Sequence, residues 1–126
     1  WVTIENSIFS EMLACRIIEE RERFVARAKR FYQENVALVE GWMRTREELE
    51  WVKPDAGLIC FPKFNIQMAS VDLARTLAEQ YGVAIGPGAF FNCEGHFRLC
   101  FTRTREEVNQ ALWALGRGLD AISRLR

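Results

Sequence analysis

Histidine, lysine and proline are scarce in this chain of 126 residues, which holds only His96, three lysines (Lys29, Lys53 and Lys63) and three prolines. A single histidine means that any nucleophile–histidine arrangement must use His96, and no Gly-x-Ser-x-Gly elbow precedes a helix. Charge of one sign is missing as well: seventeen basic residues balance seventeen acidic ones. Without a basic block there is no electrostatic case for nucleic acid. No apolar run is long enough to cross a bilayer, and no signal-peptide pattern opens the chain. The expected setting is therefore cytoplasmic, with no membrane and no nucleic-acid partner.

The four cysteines form no Cys-x-x-Cys pair, and Cys60 and Cys100 lie inside apolar runs, where a free thiol behaves as a small hydrophobe. Cys93, His96 and Cys100 superficially resemble a metal cluster, but no fourth ligand is evident and no metal is expected. Disulfides are not expected either. Gly82, Gly86, Gly88 and Gly95 do not make a phosphate loop, because a strand rather than a helix follows them. Asp72 and Asp120 fall in helical patterns and read as caps or surface charge.

What is present is a core. Nine Phe, four Trp and two Tyr exclude a disordered chain and suit one globular domain. The chain starts at Trp1 rather than Met, which reads as a piece of a longer protein or a processed product. From about Glu11 to Met43 only Gly41 interrupts a helical pattern, with Ile17, Phe24, Ala28, Phe31 and Leu38 at helical spacing and Ser7 or Ser10 as a candidate cap. That length, unusual for a small domain, leaves room for a kink. A moderate strand pattern over Leu49 to Lys53 leads through the turn Pro54-Asp55-Ala56-Gly57 to a short apolar strand, Leu58 to Phe61, which Pro62 is expected to end. Ser70 is expected to cap a helix over residues 71–81, with Val71, Ala74, Leu77, Ala78 and Tyr81 as its apolar stripe and Gly82 as its stop. In the last helix, Thr104 and Glu107 make a capping box, and Val108, Ala111, Leu112, Leu115, Leu119 and Ile122 line one face. The layering is α+β: a small, mostly antiparallel sheet covered by helices and preceded by a long N-terminal helix.

The stretch from Gly82 to Thr102 is the most informative. Gly86-Pro87-Gly88 has the chemistry of a type II turn, with Gly88 at positive φ. Beyond it, a period of two puts Phe97, Leu99 and Phe101 on one strand face and His96, Arg98 and Cys100 on the other. A guanidinium keeps its proton, so Arg98 needs either water, a structural carboxylate or a bound anion. His96 beside a glycine loop reads first as a structural residue.

A helix ending in Tyr-Gly-Val, then Ile-Gly-Pro-Gly-Ala-Phe-Phe, a short loop and Phe-Arg-Leu-Cys-Phe together resemble the C-terminal segment of class I/II aminotransferases, fold-type I enzymes that use pyridoxal phosphate. Pro54 to Phe61 resembles that family's hairpin leading into an apolar strand, and the helix from Thr104 fits as well. The resemblance implies that Arg98 grips the α-carboxylate of an amino-acid or 2-oxo-acid substrate. It implies that residues 1–43 form a helix of the kind that bridges the two domains, and residues 44–126 the small α+β domain. Dimerisation with a second copy and a missing large domain are implied too. No lysine stands in the family's Ser-x-x-Lys-like context, Lys63 being the least implausible, so the Schiff-base lysine is expected upstream and the fragment alone is expected to be inactive. The competing expectation is a non-enzymatic relative, such as an effector domain of a transcription regulator or a small interaction domain.

Overall fold

The computed structural model describes residues 7–124, so the part of the long-helix expectation on residues 1–6 lies outside the described residues. The chain divides into two compact units at Phe31 and Tyr32.

In the first unit the helical run is broken once. Helix α1 (Ile8–Glu19) ends at Glu20, where φ −98° and ψ 19° leave the helical region, and α2 (Arg21–Met43) starts immediately after. Arg16 and Arg23 both reach the Glu20 carboxylate at 3.2 Å and hold the break from either side. Ser7 stands at the N-cap of α1 without a side-chain bond. No residue of α1 is buried: Phe9 is 75% exposed and Met12 66%. Phe24, one of the apolar residues at helical spacing, is 41% exposed, since the described residues of this unit offer no second layer for the stripe to meet.

The second unit holds the core. Here α2 buries Val36, Val39 and Met43, one stripe at helical spacing, together with Asn35. Gly41, expected to mark a break, lies inside the helix. Asn35 is buried because it has work for both amide hydrogens: its Nδ2 donates to the carbonyls of Phe101, at 2.9 Å, and Arg103, at 2.8 Å. Those carbonyls lie just past the end of the strand at Phe97–Cys100, and the Asn35 amide gives them partners.

Among the described residues five short strands are arranged antiparallel: β1 (Leu49–Glu50), β2 (Ile59–Cys60), β3 (Lys63–Phe64), β4 (Gly86–Pro87) and β5 (Phe97–Cys100). The expected hairpin between the strand at Leu49 and the one at Leu58 is not formed. Instead β1 pairs with β3, and β5 sits between β2 and β4. β2 ends at Cys60, short of Pro62, as expected, and the register Ile59–Cys100 and Cys60–Leu99 is kept beyond the proline as far as a Lys63–His96 bridge. Proline removes only a donor. Its carbonyl still accepts the Phe97 N–H at 3.0 Å, and the Phe64 N–H reaches Gly95 at 2.8 Å, so the pairing passes through it.

Phe64, Phe97, Leu99 and Phe101 point to one side and are buried with Leu73, Leu112, Leu115 and Leu119. Helix α3 (Ser70–Tyr81) and helix α4 (Arg105–Arg124) cover that side. The buried residues of α3 are Ser70, Leu73 and Leu77; Val71 and Ala78 are exposed, so its inward stripe is rotated from the expected one. The α3–α4 contact is close, since a Cβ on Gly118 would lie 2.3 Å from Leu77 Cδ2. Ala111 is exposed, and Gly116 and Gly118 extend the buried face of α4 in its place. The capping box is formed as expected: the Thr104 hydroxyl donates to Glu107 Oε2 at 2.7 Å, and the Glu107 N–H donates to Thr104 Oγ1 at 3.4 Å. Gly82 ends α3 in the left-handed region at φ 67°.

Candidate functional site

With helices on one side of the sheet, the other side holds the candidate site. Arg98 is exposed there, on the central strand, between buried Phe97 and buried Leu99. Its strand partner on one side is Gly86. Continuing the β2–β5 register places Phe61 opposite it on the other. Gly86 matters by having no side chain: a Cβ there would stand 3.2 Å from Arg98 Cβ and 3.4 Å from Arg98 Nε, so the arginine lies across the glycine. Phe91 closes the arrangement, its ring centre 5.2 Å from the guanidinium carbon. Phe91 in turn meets Phe61 edge-on at 5.6 Å, and Phe61 stacks on His96 at 5.2 Å. Among the described residues no carboxylate lies within ion-pair distance of Arg98, so the structural-carboxylate alternative is not realised there.

Phe91 is delivered by a turn that differs from the expected one. Gly88 does not take positive φ; residues Gly88–Phe91 form a 3-10 helix, and Asn92 takes the left-handed conformation at φ 53°. The reason is long-range. A Cβ on Gly88 would lie 2.1 Å from the carbonyl oxygen of Cys93 and 2.5 Å from that of His96, so the position requires glycine for space rather than for φ. The Gly88 N–H donates to His96 at 2.8 Å, and the Cys93 N–H donates back to Gly88 at 3.0 Å.

Helix α3 anchors the same loop. Ser70 is its first residue rather than its cap, because Ala69 occupies the cap position and has no oxygen to offer. The carboxylate of Glu94 takes that role from across the loop, accepting the Ser70 N–H and, at 2.9 Å, the Ser70 hydroxyl. The Ser70 oxygen accepts the Ala89 N–H at 3.0 Å. These two donors from Ser70 hold the Glu94 carboxyl below the usual carboxylate range.

The remaining candidates separate. Cys93 and His96 come together, with Sγ 3.3 Å from Nδ1, while exposed Cys100 meets the Thr102 hydroxyl. No group of three metal-ligating side chains occurs among the described residues. Cys60 is buried and its thiol is pushed up to about 12, by desolvation first and then by neighbouring Cys100, which leaves it unreactive. Lys29 is exposed on α2, Lys53 reaches Glu40 at 2.5 Å, and Lys63 stands exposed 3.6 Å from Glu50. None of the three has the desolvated surroundings that an amine forming an imine requires, so these residues do not fit covalent attachment of an aldehyde cofactor. Asp72 pairs with Arg75 at 2.5 Å and Asp120 with Arg46 at 2.5 Å, both as surface charge. Phe61, Phe91 and Glu94 were not singled out by the sequence. Phe61 and Phe91 lie inside stretches that carry the resemblance, but nothing local marked either as a neighbour of Arg98.

Residues 6–115 match the family model for aminotransferase class I and II. The chain belongs to that family. Capreomycidine synthase from Streptomyces vinaceus is 24% identical over 127 residues, covering 100% of this chain and 33% of its own length. A PLP-dependent aminotransferase from Streptococcus suis 89-1591 superposes with a TM-score of 0.86 at 23% identity, over 91% of this chain and 31% of its own. The PLP-dependent cyclase OrfR superposes with a TM-score of 0.84 at 24% identity, over 95% and 34%. The chain thus spans about a third of the length of these relatives.

Proposed function

We propose that this chain is the small, C-terminal domain of a pyridoxal-phosphate-dependent aminotransferase, and that Arg98 binds the α-carboxylate of its amino-acid or 2-oxo-acid substrate. The observation that carries this is the state of Arg98: a permanent cation on the open face of the sheet, seated by Gly86 and Phe91, with no carboxylate of the described residues answering it. The family match and relatives described as PLP-dependent supply the chemical context. A guanidinium presents two parallel N–H donors to a carboxylate, fixing orientation as well as position. Packed against the aromatic ring, the fork gives up less freedom on binding. Covering the open face would exclude water and strengthen the pair.

Pyridoxal phosphate, when bound, supplies the electron sink for amino-group transfer. Its lysine, on this proposal, belongs to the part of the relatives that this chain does not span, since Lys29, Lys53 and Lys63 are placed as described above. This chain's residues orient the substrate rather than perform the transfer. The exposed apolar residues of α1 suit a helix that bridges to the missing large domain, in a homodimeric, cytoplasmic enzyme. The test is kinetic and uses the full-length protein. Arg98→Ala is expected to lower kcat/KM by roughly 2–5 kcal/mol in transition-state stabilisation, mainly through KM, with Arg98→Lys recovering part of it. Unchanged kinetics in both variants would overturn the assignment.

A further inference from the structure

We infer that Glu94 is a positioning residue for carboxylate binding, acting through Ser70 and Ala89 to hold Phe91 and the Arg98 strand in register. The inference rests on the reading of Arg98 as the carboxylate grip. Ser70 is the hub. It is fully buried, so its hydroxyl has no water to exchange with and must use the partners the fold provides. Its O–H donates to Glu94 Oε2 at 2.9 Å, and its oxygen accepts from the Ala89 N–H at 3.0 Å. Glu94 also accepts the Ser70 N–H, an orphan donor at the start of α3. One carboxylate therefore ties three segments together: the first turn of α3, the 3-10 helix at Gly88–Phe91, and the loop entering β5.

The two ends of this relay flank the arginine. Ala89 stands two residues before Phe91, whose ring lies against the Arg98 guanidinium, and Glu94 stands four residues before Arg98 itself. Gly86, over which Arg98 lies, precedes the same 3-10 helix. Releasing Glu94 leaves the buried Ser70 hydroxyl without its acceptor and the helix start without its cap. Phe91 and Gly86 then lose the fixed backbone that seats the guanidinium. Glu94 itself faces α3 and makes no ion pair with Arg98, so it shapes the grip without adding charge to it.

The experiment measures steady-state kinetics of the full-length protein with an amino-acid substrate in five forms: unaltered, Glu94→Gln, Ser70→Ala, Arg98→Ala, and Glu94→Gln with Arg98→Ala. One hydrogen bond's worth of lost positioning corresponds to a KM rise of about fivefold in Glu94→Gln and in Ser70→Ala, with kcat within about twofold. In the Arg98→Ala background Glu94→Gln is expected to change KM no further, because there is no guanidinium left to misplace. A KM raised by Arg98→Ala but unmoved by both Glu94→Gln and Ser70→Ala overturns the brace alone. So does a Glu94→Gln effect equally large with and without Arg98, which a merely structural role would give. A KM untouched by Arg98→Ala sinks the grip, and the brace with it.

Discussion

Arg98 lies with its guanidinium carbon 5.2 Å from the centre of the Phe91 ring, across a strand position where Gly86 contributes no side chain. The ring restricts a long side chain that would otherwise sweep a wide volume. Phe91→Leu keeps apolar bulk but removes the quadrupole, worth about 0.5–1 kcal/mol at such a site. The expected result is a KM for the carboxylate substrate raised about threefold, with the denaturation midpoint little changed because Phe91 is 44% exposed. A KM unmoved by Phe91→Leu would show that the ring does not seat the arginine.

Gly88 makes a sharper demand. Its missing Cβ would fall 2.1 Å from the Cys93 carbonyl oxygen, which is backbone and cannot step aside as a side chain can. Gly88→Ala is therefore expected to destabilise the fold by about 3 kcal/mol or more in urea unfolding. Gly118→Ala meets Leu77 Cδ2 at 2.3 Å, a flexible end, and is expected to cost less. The reverse order would contradict the packing described.

Among the described residues three carboxylates are held below their ordinary range, Glu40 by Lys53 and Arg44, and Glu94 and Glu107 by hydrogen bonds at helix starts. The latter two are expected to contribute to an acid limb of stability. Glu94, through the Ser70 N–H and hydroxyl, and Glu107, through the Thr104 hydroxyl and N–H, both titrate below the ordinary 4.5 in the folded state. A lowered native value means that the contribution is present above 4.5 and is lost as pH falls through that native value. Urea midpoints are expected to drop on acidification below that point, and to drop less in a Glu94→Gln, Glu107→Gln double variant. Parallel pH profiles would remove both groups from the account.

Helix α1 exposes Ile8, Phe9, Met12, Leu13 and Ile18 at 64–75% each. At about 25 cal/mol per Å² of apolar surface, hiding even part of this favours association. This chain expressed alone is expected to self-associate in sedimentation equilibrium, and one beginning at Arg21 to do so less. A monomer whose α1 amides exchange as slowly as those of α4 would instead show a self-sufficient unit and remove a physical support for a missing large domain.

Features written in neighbouring residues were legible in the sequence. The Thr104–Glu107 box and the Gly82 stop need only a few positions of chain, and the alternation over 97–101 fixed which way Arg98 faces. What escaped depends on distant partners. Lys63–Phe64 is a strand only because Glu48–Glu50 and Gly95–His96 flank it. Asn35 looked like one more polar helix residue until the carbonyls of Phe101 and Arg103 gave it a buried role. Gly88 carried the signature of a type II turn, yet it sits in a 3-10 helix, bonded to His96 and Cys93 further along the chain. Glu94 gave no local sign of capping a helix that starts 24 residues before it.

The claim that Arg98 binds a carboxylate is tested most directly by discrimination at equilibrium. The affinity of the full-length protein for an amino-acid ligand is compared with that for its neutral carboxamide, before and after Arg98→Ala. A desolvated guanidinium–carboxylate pair predicts a preference for the acid of about 30-fold or more in the unaltered protein, collapsing to within about threefold in Arg98→Ala. A preference that survives the loss of Arg98 undiminished would place the carboxylate elsewhere and contradict the account.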